Sequence, residues 1–365
     1  MKAAVLRAYR EPLSLEEVDL LPPQTGEIRI RFAASGVCHS DMTRIEGARP
    51  SPLPIILGHE ASAYVEELGP GVEGLQVGDR VVLSFLYDCG RCFFCRSGHP
   101  NLCEVGVGML RNGTMPDGTT RLRKGDEVLY HMTVSSFAEE AVVPARCATR
   151  VPDELPMDVA ALIGCGVLTG TGAVFNAARV SPGDSVLIIG AGGVGLNAVQ
   201  AAAIAGASVI VVSDINPDKL AIARDFGATH VVDARTEDPV AIARDLTHGR
   251  GVDFAFEVIG RPATIRQCHD AIRPAGTAIV VGVGEVGDCC EIDTASLPFS
   301  EKVLTGTLYG GARPGLDVER LVDLYLNDRL RLDELITRTY RLDQINEAFH
   351  DLHEGRLARG LIRYE

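Results

Sequence analysis

The sequence predicts a two-domain α/β protein in which a β-rich domain is joined to a doubly wound parallel sheet. Three observations predict it. The chain has 365 residues, and single hydrophobic cores rarely grow past ~250 to 300 residues. Up to about residue 165 it reads as short alternating runs broken by Gly, Pro and Asp turns. From Met157 to about Leu308, apolar runs alternate with helical patterns, as βαβ units do.

The early strand candidates are residues 27–32, 63–68 and 80–84, separated by PPQTGE, GPGVEG and VGD. Such spacing suits a small, irregular, barrel-like domain. In the second region the strand candidates are 186–189, 209–212, 230–232, 253–258 and 277–281. Helical patterns occupy 218–226, 239–247 and 261–272 between them, and the tail after about Gly311 carries two more, 318–326 and 342–352. No internal repeat or low-complexity segment interrupts the chain.

The first βα turn of the second region is the most regular stretch. The strand 186–189 runs into Gly190, Gly192 and Gly195, and an Ala-rich helix follows at once. In the dinucleotide-binding fingerprint the first glycine makes the turn, the second lets backbone approach a pyrophosphate, and the third lets helix pack on strand. Gly193 and Val194 complete the loop that would anchor it. The next apolar run ends at Asp214, where an acid would accept hydrogen bonds from an adenosine ribose and repel a 2′-phosphate, which selects NAD.

Composition narrows the class. A hydrophobic share of 46% is ordinary for a soluble globular protein. A formal charge of −14 and a pI near 5.1 predict a surface that repels nucleic acid and anionic membrane. The N-terminal stretch soon turns polar and acidic, and no apolar run approaches the ~18 residues of a membrane span. The expected location is the cytoplasm, where thiols stay reduced, so the ten cysteines point to metal rather than to a disulfide framework.

Two clusters carry that chemistry. GVCHSD and GHE hold Cys38, His59 and Glu60, and LIGCGVLTG holds Cys165. A cysteine and a histidine on separate turns can simply be core residues. Three N and S donors with one open position are what a catalytic zinc requires, and Cys38, His59 and Cys165 supply such a set. CGRCFFCRSGHPNLC then brings together Cys89, Cys92, Cys95 and Cys103, a closed thiolate cage for a structural zinc. An iron–sulfur cluster is the rival, but the CxxxCP ending of ferredoxin-type runs is missing. Cys147, Cys268, Cys289 and Cys290 have no usable ligand spacing and default to buried small hydrophobes.

With GVCHSD, GHE, the four-cysteine lobe, the Cys165 segment, GAGGVG, DINPDK, FEVIG and VVGVG in this order, the chain resembles the zinc-dependent medium-chain alcohol dehydrogenases over essentially its whole length. Its long lobe, through GTMPDGTTRLRKGDEVLYH, is similar to the animal-type and formaldehyde-dehydrogenase branch. The resemblance implies a GroES-like catalytic domain, 1–166 with 309–365, whose structural zinc lobe spans about 88–135, and a Rossmann domain, 167–308. It implies two zinc ions per subunit and NAD, a small primary alcohol or aldehyde as substrate, and a homodimer pairing sheet edges around 304–308.

Roles follow residue by residue from the same resemblance. Cys38, His59 and Cys165 correspond to catalytic zinc ligands, with Glu60 behind the metal and Asp41 orienting the His59 ring. Ser40 corresponds to the hydroxyl that takes the substrate's proton, and Thr43 stands where many relatives carry the histidine that passes it on. His39 and Arg359 correspond to cofactor phosphate contacts, Asp214 and Lys219 to ribose contacts, and Thr169 and Val281 to the nicotinamide end. The implied substrate channel is Arg49, Phe85, Gly108, His131, Met132 and Val283, each with an ordinary core or surface alternative. Val107 stands where glutathione-dependent formaldehyde dehydrogenases carry an arginine, which argues against a glutathione adduct. Two other classes compete: a non-redox protein that kept the scaffold, and a dismutase-like enzyme that retains its cofactor.

Overall fold

A computed structural model describes residues 1–364. The chain forms two compact units, Met1–Cys165 with the segment from Arg313 onward, and Gly166–Ala312.

The first unit is built on two mixed sheets. One has six strands, and the other has seven, with the long strand Glu27–Val37 at its centre. Alternation explains that strand: Ile28, Ile30 and Phe32 turn inward onto a core with Val65, Val81 and Leu83. It extends five residues past the run legible in the sequence, because Ala33 to Val37 pair with segments distant in the chain. Ala61–Leu68 pairs with it on one side, and the C-terminal strand Arg359–Arg363 on the other, with Gly360 opposite Val37. That C-terminal strand has no pattern of its own in the sequence; five residues reveal a strand only once a partner edge is known.

The second unit is a six-stranded parallel sheet. In chain order its strands are Ser185–Ile189, Val209–Asp214, His230–Asp233, Val252–Glu257, Ile272–Val280 and Val303–Gly306, and their spatial order is 3-2-1-4-5-6. This is the doubly wound dinucleotide-binding arrangement. Leu187, Val211, Val232, Ala255 and Ala278 form its core. Three of its helices begin with proline just inside the first turn, Pro217–Asp225, Pro239–Asp245 and Pro262–Ala271, and the Asn216 and Asp238 side chains cap the first two.

Two expectations need correction here. The helical run Met157–Ala178 is long and apolar enough to cross a membrane, contrary to the reading that no apolar run approaches that length. Of its apolar stretch 83% is buried inside the protein, which is the behaviour of a core helix. Of the four cysteines assigned to the interior, Cys147 and Cys268 are buried, whereas Cys289 is exposed and Cys290 half-buried, in the loop that follows Ile272–Val280. A loop between sheet and surface helix has no core to offer them.

Candidate functional site

Within the first unit, four separate segments deliver side chains to one place. Cys38 follows the last residue of Glu27–Val37 and precedes the helix His39–Ile45. His59 and Glu60 immediately precede Ala61–Leu68, and Arg359 opens the C-terminal strand. Cys165 lies in a π-helical turn, Ile163–Val167; such turns widen a helix locally and frequently mark functional sites. The donor atoms of Cys38, His59 and Cys165 all lie within 4.8 Å of one another, and all three residues are buried. Two soft thiolates and an imidazole fit zinc with one position left for water or substrate.

The glycines of the two motifs have steric reasons. A Cβ on Gly36 would sit 2.6 Å from Cδ of Glu60, so the residue before Val37 must be glycine for that carboxylate to fit. Gly58 has φ +93°, and a Cβ there would meet the Ser136 hydroxyl at 2.5 Å.

Around the donors lies a second layer of charge. The Asp41 carboxylate accepts from the Gly58 N–H at 3.0 Å and lies 3.1 Å from Nδ1 of His59, which leaves Nε2 as the histidine's metal donor. Burial alone would depress the imidazole; the Asp41 charge overrides it and lifts His59 to about 10. Glu60 is fully buried, and burial raises its carboxyl to about 7 against the pull of Arg359. The Arg359 guanidinium is itself buried, 3.5 Å from Oε2 of Glu60, and one of its terminal nitrogens has no partner. Sequence reasoning assigned Arg359 to a phosphate and missed this ion pair, whose only sequence signal is an arginine at the start of a strand that could not be recognised.

Ser40 is half-buried in the first turn of His39–Ile45, and His39 beside it is exposed. The Thr43 hydroxyl donates to the backbone carbonyl of Ser40 at 3.0 Å. Phe85 is half-buried with its ring edge-on to His59, centroids 5.3 Å apart. Arg49 is half-buried in the loop after the same helix, and Gly108 lies half-buried on Glu104–Asn112 with open space where a Cβ would be.

Two proposed channel residues are buried. Met132 is packed among Leu6, Leu57, Phe137 and Phe349, so its side chain is core. His131 is buried at the end of Glu127–His131, not at the surface; burial, then the Arg121 charge, lowers it to about 4. The backbone after them is tight, with Thr133 and Ser135 at positive φ.

The four cysteines of the lobe also converge. Their Sγ atoms lie within 4.8 Å of one another. The backbone N–H of Cys89 points at Sγ of Cys103, and that of Cys92 at Sγ of Cys89, each at 3.3 Å. A closed S₄ set fits a structural zinc and leaves no open position.

In the second unit the glycine loop meets its geometric requirements. Gly190 has φ +108°; a Cβ on Gly195 would lie 1.9 Å from the Gly190 carbonyl oxygen; a Cβ on Gly192 would meet nothing within 4 Å. The first makes the turn, the third packs helix on strand, and the second leaves a free approach to the N-terminus of Gly193–Ala205. Val194 follows in its first turn. Asp214 ends its strand and accepts from the N–H groups of Ala191 and Asn216 at 2.7 and 2.9 Å. Lys219, in the first turn of Pro217–Asp225, and Thr169 are half-buried, Val281 is buried, and Val283 is exposed.

Comparison with known proteins agrees with both units. Residues 24–153 match the alcohol dehydrogenase GroES-like domain and residues 193–327 the zinc-binding dehydrogenase domain. S-(hydroxymethyl)glutathione dehydrogenase of Komagataella pastoris is 39% identical, covering 99% of this chain and 97% of that one. Alcohol dehydrogenase class-3 of Drosophila melanogaster is 40% identical, covering 100% and 97%. The crystal structure of benzyl alcohol dehydrogenase from Acinetobacter calcoaceticus superposes with a TM-score of 0.95 at 35% identity, covering 100% and 99%. With two thiolates and an imidazole gathered in one unit and a complete dinucleotide loop in the other, this chain belongs to the zinc-dependent alcohol dehydrogenase family.

Proposed function

We propose that Cys38, His59 and Cys165 hold the catalytic zinc of an enzyme that moves a hydride between a primary alcohol and NAD, with Ser40 accepting the hydroxyl proton. NAD-linked alcohol oxidoreduction with zinc is the activity of this chain; the residue roles and the substrate class are the proposal. The observation that carries it is the buried three-donor cluster.

Zinc held there would supply Lewis-acid chemistry, making the hydroxyl of a nearby alcohol more acidic. The chain's own residues do the rest. Asp41 accepts the Nδ1 proton of His59, fixing the ring and its tautomer. Glu60 and Arg359 supply a buried acid–base pair behind the donors. Oγ of Ser40 takes the proton and hands it outward. The Thr43 hydroxyl donates to the Ser40 carbonyl rather than receiving the proton from Oγ of Ser40. Asp214 selects the unphosphorylated ribose, and the open face of Gly192 admits the pyrophosphate.

The yeast relative acts on a glutathione adduct by its name. Val107, half-buried on Glu104–Asn112, offers no charge at the position that would grip a glutathione adduct, and a primary alcohol other than that adduct is the better fit. A homodimer is supported by the edge strand Val303–Gly306, exposed throughout, with Phe299 93% exposed beside it. A cytoplasmic location fits the two converging cysteine clusters, which must stay reduced to hold metal.

The test is steady-state hydride transfer to NAD with a panel of primary, secondary and aromatic alcohols, alongside metal analysis and light scattering. Ser40→Ala should retain both zinc ions and turn over slowly across neutral pH; full activity would remove Ser40 from the path. A protein that binds zinc and NAD yet stays blank with every alcohol and aldehyde would point to a non-redox role.

A further inference from the structure

Among the described residues three arginines are buried: Arg44, Arg121 and Arg359. Two of them are neutralised. Arg121 donates to both oxygens of Glu27, at 2.8 and 2.6 Å, and to Asp117 at 2.7 Å. Arg359 faces Glu60. Arg44 differs: it is 6% exposed and donates through Nη1 to the Ser51 hydroxyl, but its Nε has no partner and no carboxylate pairs with it. Asp41, one turn earlier, is engaged by Gly58 and His59.

A second cation stands close by. Arg49, half-buried, forms no ion pair among the described residues, and its backbone N–H donates to the Thr43 carbonyl at 3.3 Å, folding the loop 46–51 back onto the helix. Burial, then the Arg49 charge, holds Arg44 below the usual arginine range, with Asp41 and Tyr9 only partly offsetting this. The loop is fixed rather than loose. The Tyr9 hydroxyl donates to the Ser51 carbonyl at 2.5 Å and accepts the Ser51 N–H at 2.9 Å. Guanidinium groups remain charged in proteins, so a buried one without an anion is a standing cost unless a ligand brings the anion.

Ser40 and Arg44 are four residues apart on one helix, and such positions share a face. We propose that Arg44 and Arg49, with the Ser51 hydroxyl, form a recognition site for a carboxylate carried by the substrate, so that the preferred substrates are primary alcohols bearing a remote carboxylate. The proposal rests on Ser40 marking where the reacting hydroxyl sits. It deepens the alcohol dehydrogenase reading by naming the substrate class. Arginine suits a planar carboxylate through two parallel N–H···O bonds, which lysine cannot reproduce.

The experiment compares matched pairs on the zinc-loaded enzyme: hexanol against 6-hydroxyhexanoate, and benzyl alcohol against 4-(hydroxymethyl)benzoate. The charged member of each pair should be favoured in kcat/KM by about tenfold or more, mainly through KM. That ratio should fall toward one in Arg49→Gln and in Arg44→Met, with Arg44→Lys between; Arg49→Gln carries the test if Arg44→Met does not fold. No preference in the parent enzyme, or a preference untouched by the substitutions, overturns the proposal. A raised KM for NAD with uncharged alcohols and an unchanged ratio would assign the pair to a cofactor phosphate instead, which also overturns it. Inactivity toward all alcohols would sink the dehydrogenase reading alone. In that event calorimetric titration of hexanoate decides: binding to the parent and not to Arg49→Gln supports the site, and no binding to the parent ends it.

Discussion

The two zinc-ligand clusters are built on opposite plans. The four cysteines of the lobe come from one short segment, Cys89 to Cys103, are mostly half-exposed, and receive little beyond backbone N–H groups. The Cys38, His59 and Cys165 cluster is assembled from segments far apart in the chain, is wholly buried, and is backed by Asp41, Glu60 and Arg359. A local cage can hold a metal with little help from the fold. A dispersed one depends on the whole unit, and in return it acquires a low-dielectric interior and a tuned second layer, which chemistry needs and a structural site does not.

The largest way to break this contrast is His59→Ala. It should lower kcat/KM by at least about 10³-fold, since a Lewis acid contributes several kcal/mol to the barrier, while metal analysis shows one zinc retained in the lobe. Asp41→Asn probes the second layer that only the buried cluster has. Zinc affinity there should weaken by about 10- to 100-fold, read by competition with a chelator, with lobe zinc unchanged. Cys92→Ser should do the reverse, releasing lobe zinc and lowering Tm by roughly 5 to 10 °C, with a smaller loss of activity than His59→Ala.

The smallest effect concerns pH and the strand that closes the lobe. Burial holds His131 at about 4, against ~6.5 in an unfolded chain. A base with a depressed folded pKa contributes fully above pH 6.5, and that stability is lost as pH falls through about 4. The unfolded chain then takes a proton that the folded one refuses. Urea unfolding at pH 7 and at pH 4.5 should differ by at most roughly 3 kcal/mol from this source, and His131→Gln should flatten the difference. An unchanged slope would place the acid sensitivity elsewhere.

What the comparison says of the clusters also holds for the reading of the chain. The lobe, the glycine loop and the alternating strands of the parallel sheet were legible, because ligand spacing, turn sterics and side-chain period are local properties. Gly190, Gly192 and Gly195 each occupy the geometry that their spacing anticipated. Residues 272–276, IRPAG, concealed the first half of the strand Ile272–Val280, since proline and glycine read as a turn until a neighbouring strand claims them. Met132 could not be assigned to channel or core, because apolar side chains suit both. The ends of Glu27–Val37 and the strand Arg359–Arg363 were equally beyond local pattern.

By itself the sequence determined the fold class and singled out the four lobe cysteines, the glycine loop with Asp214, and Cys38, His59 and Cys165, whose donor atoms the structure brings together. Only the tertiary structure decided that Arg359 lies against Glu60, that Gly36 is required by that same carboxylate, that the Thr43 hydroxyl is spent on a backbone carbonyl, and that Arg44 is buried without an anion. The physical reason is common to all four. Burial and charge pairing are properties of residues brought together from remote segments, and one-dimensional spacing carries no record of which charges will share an interior.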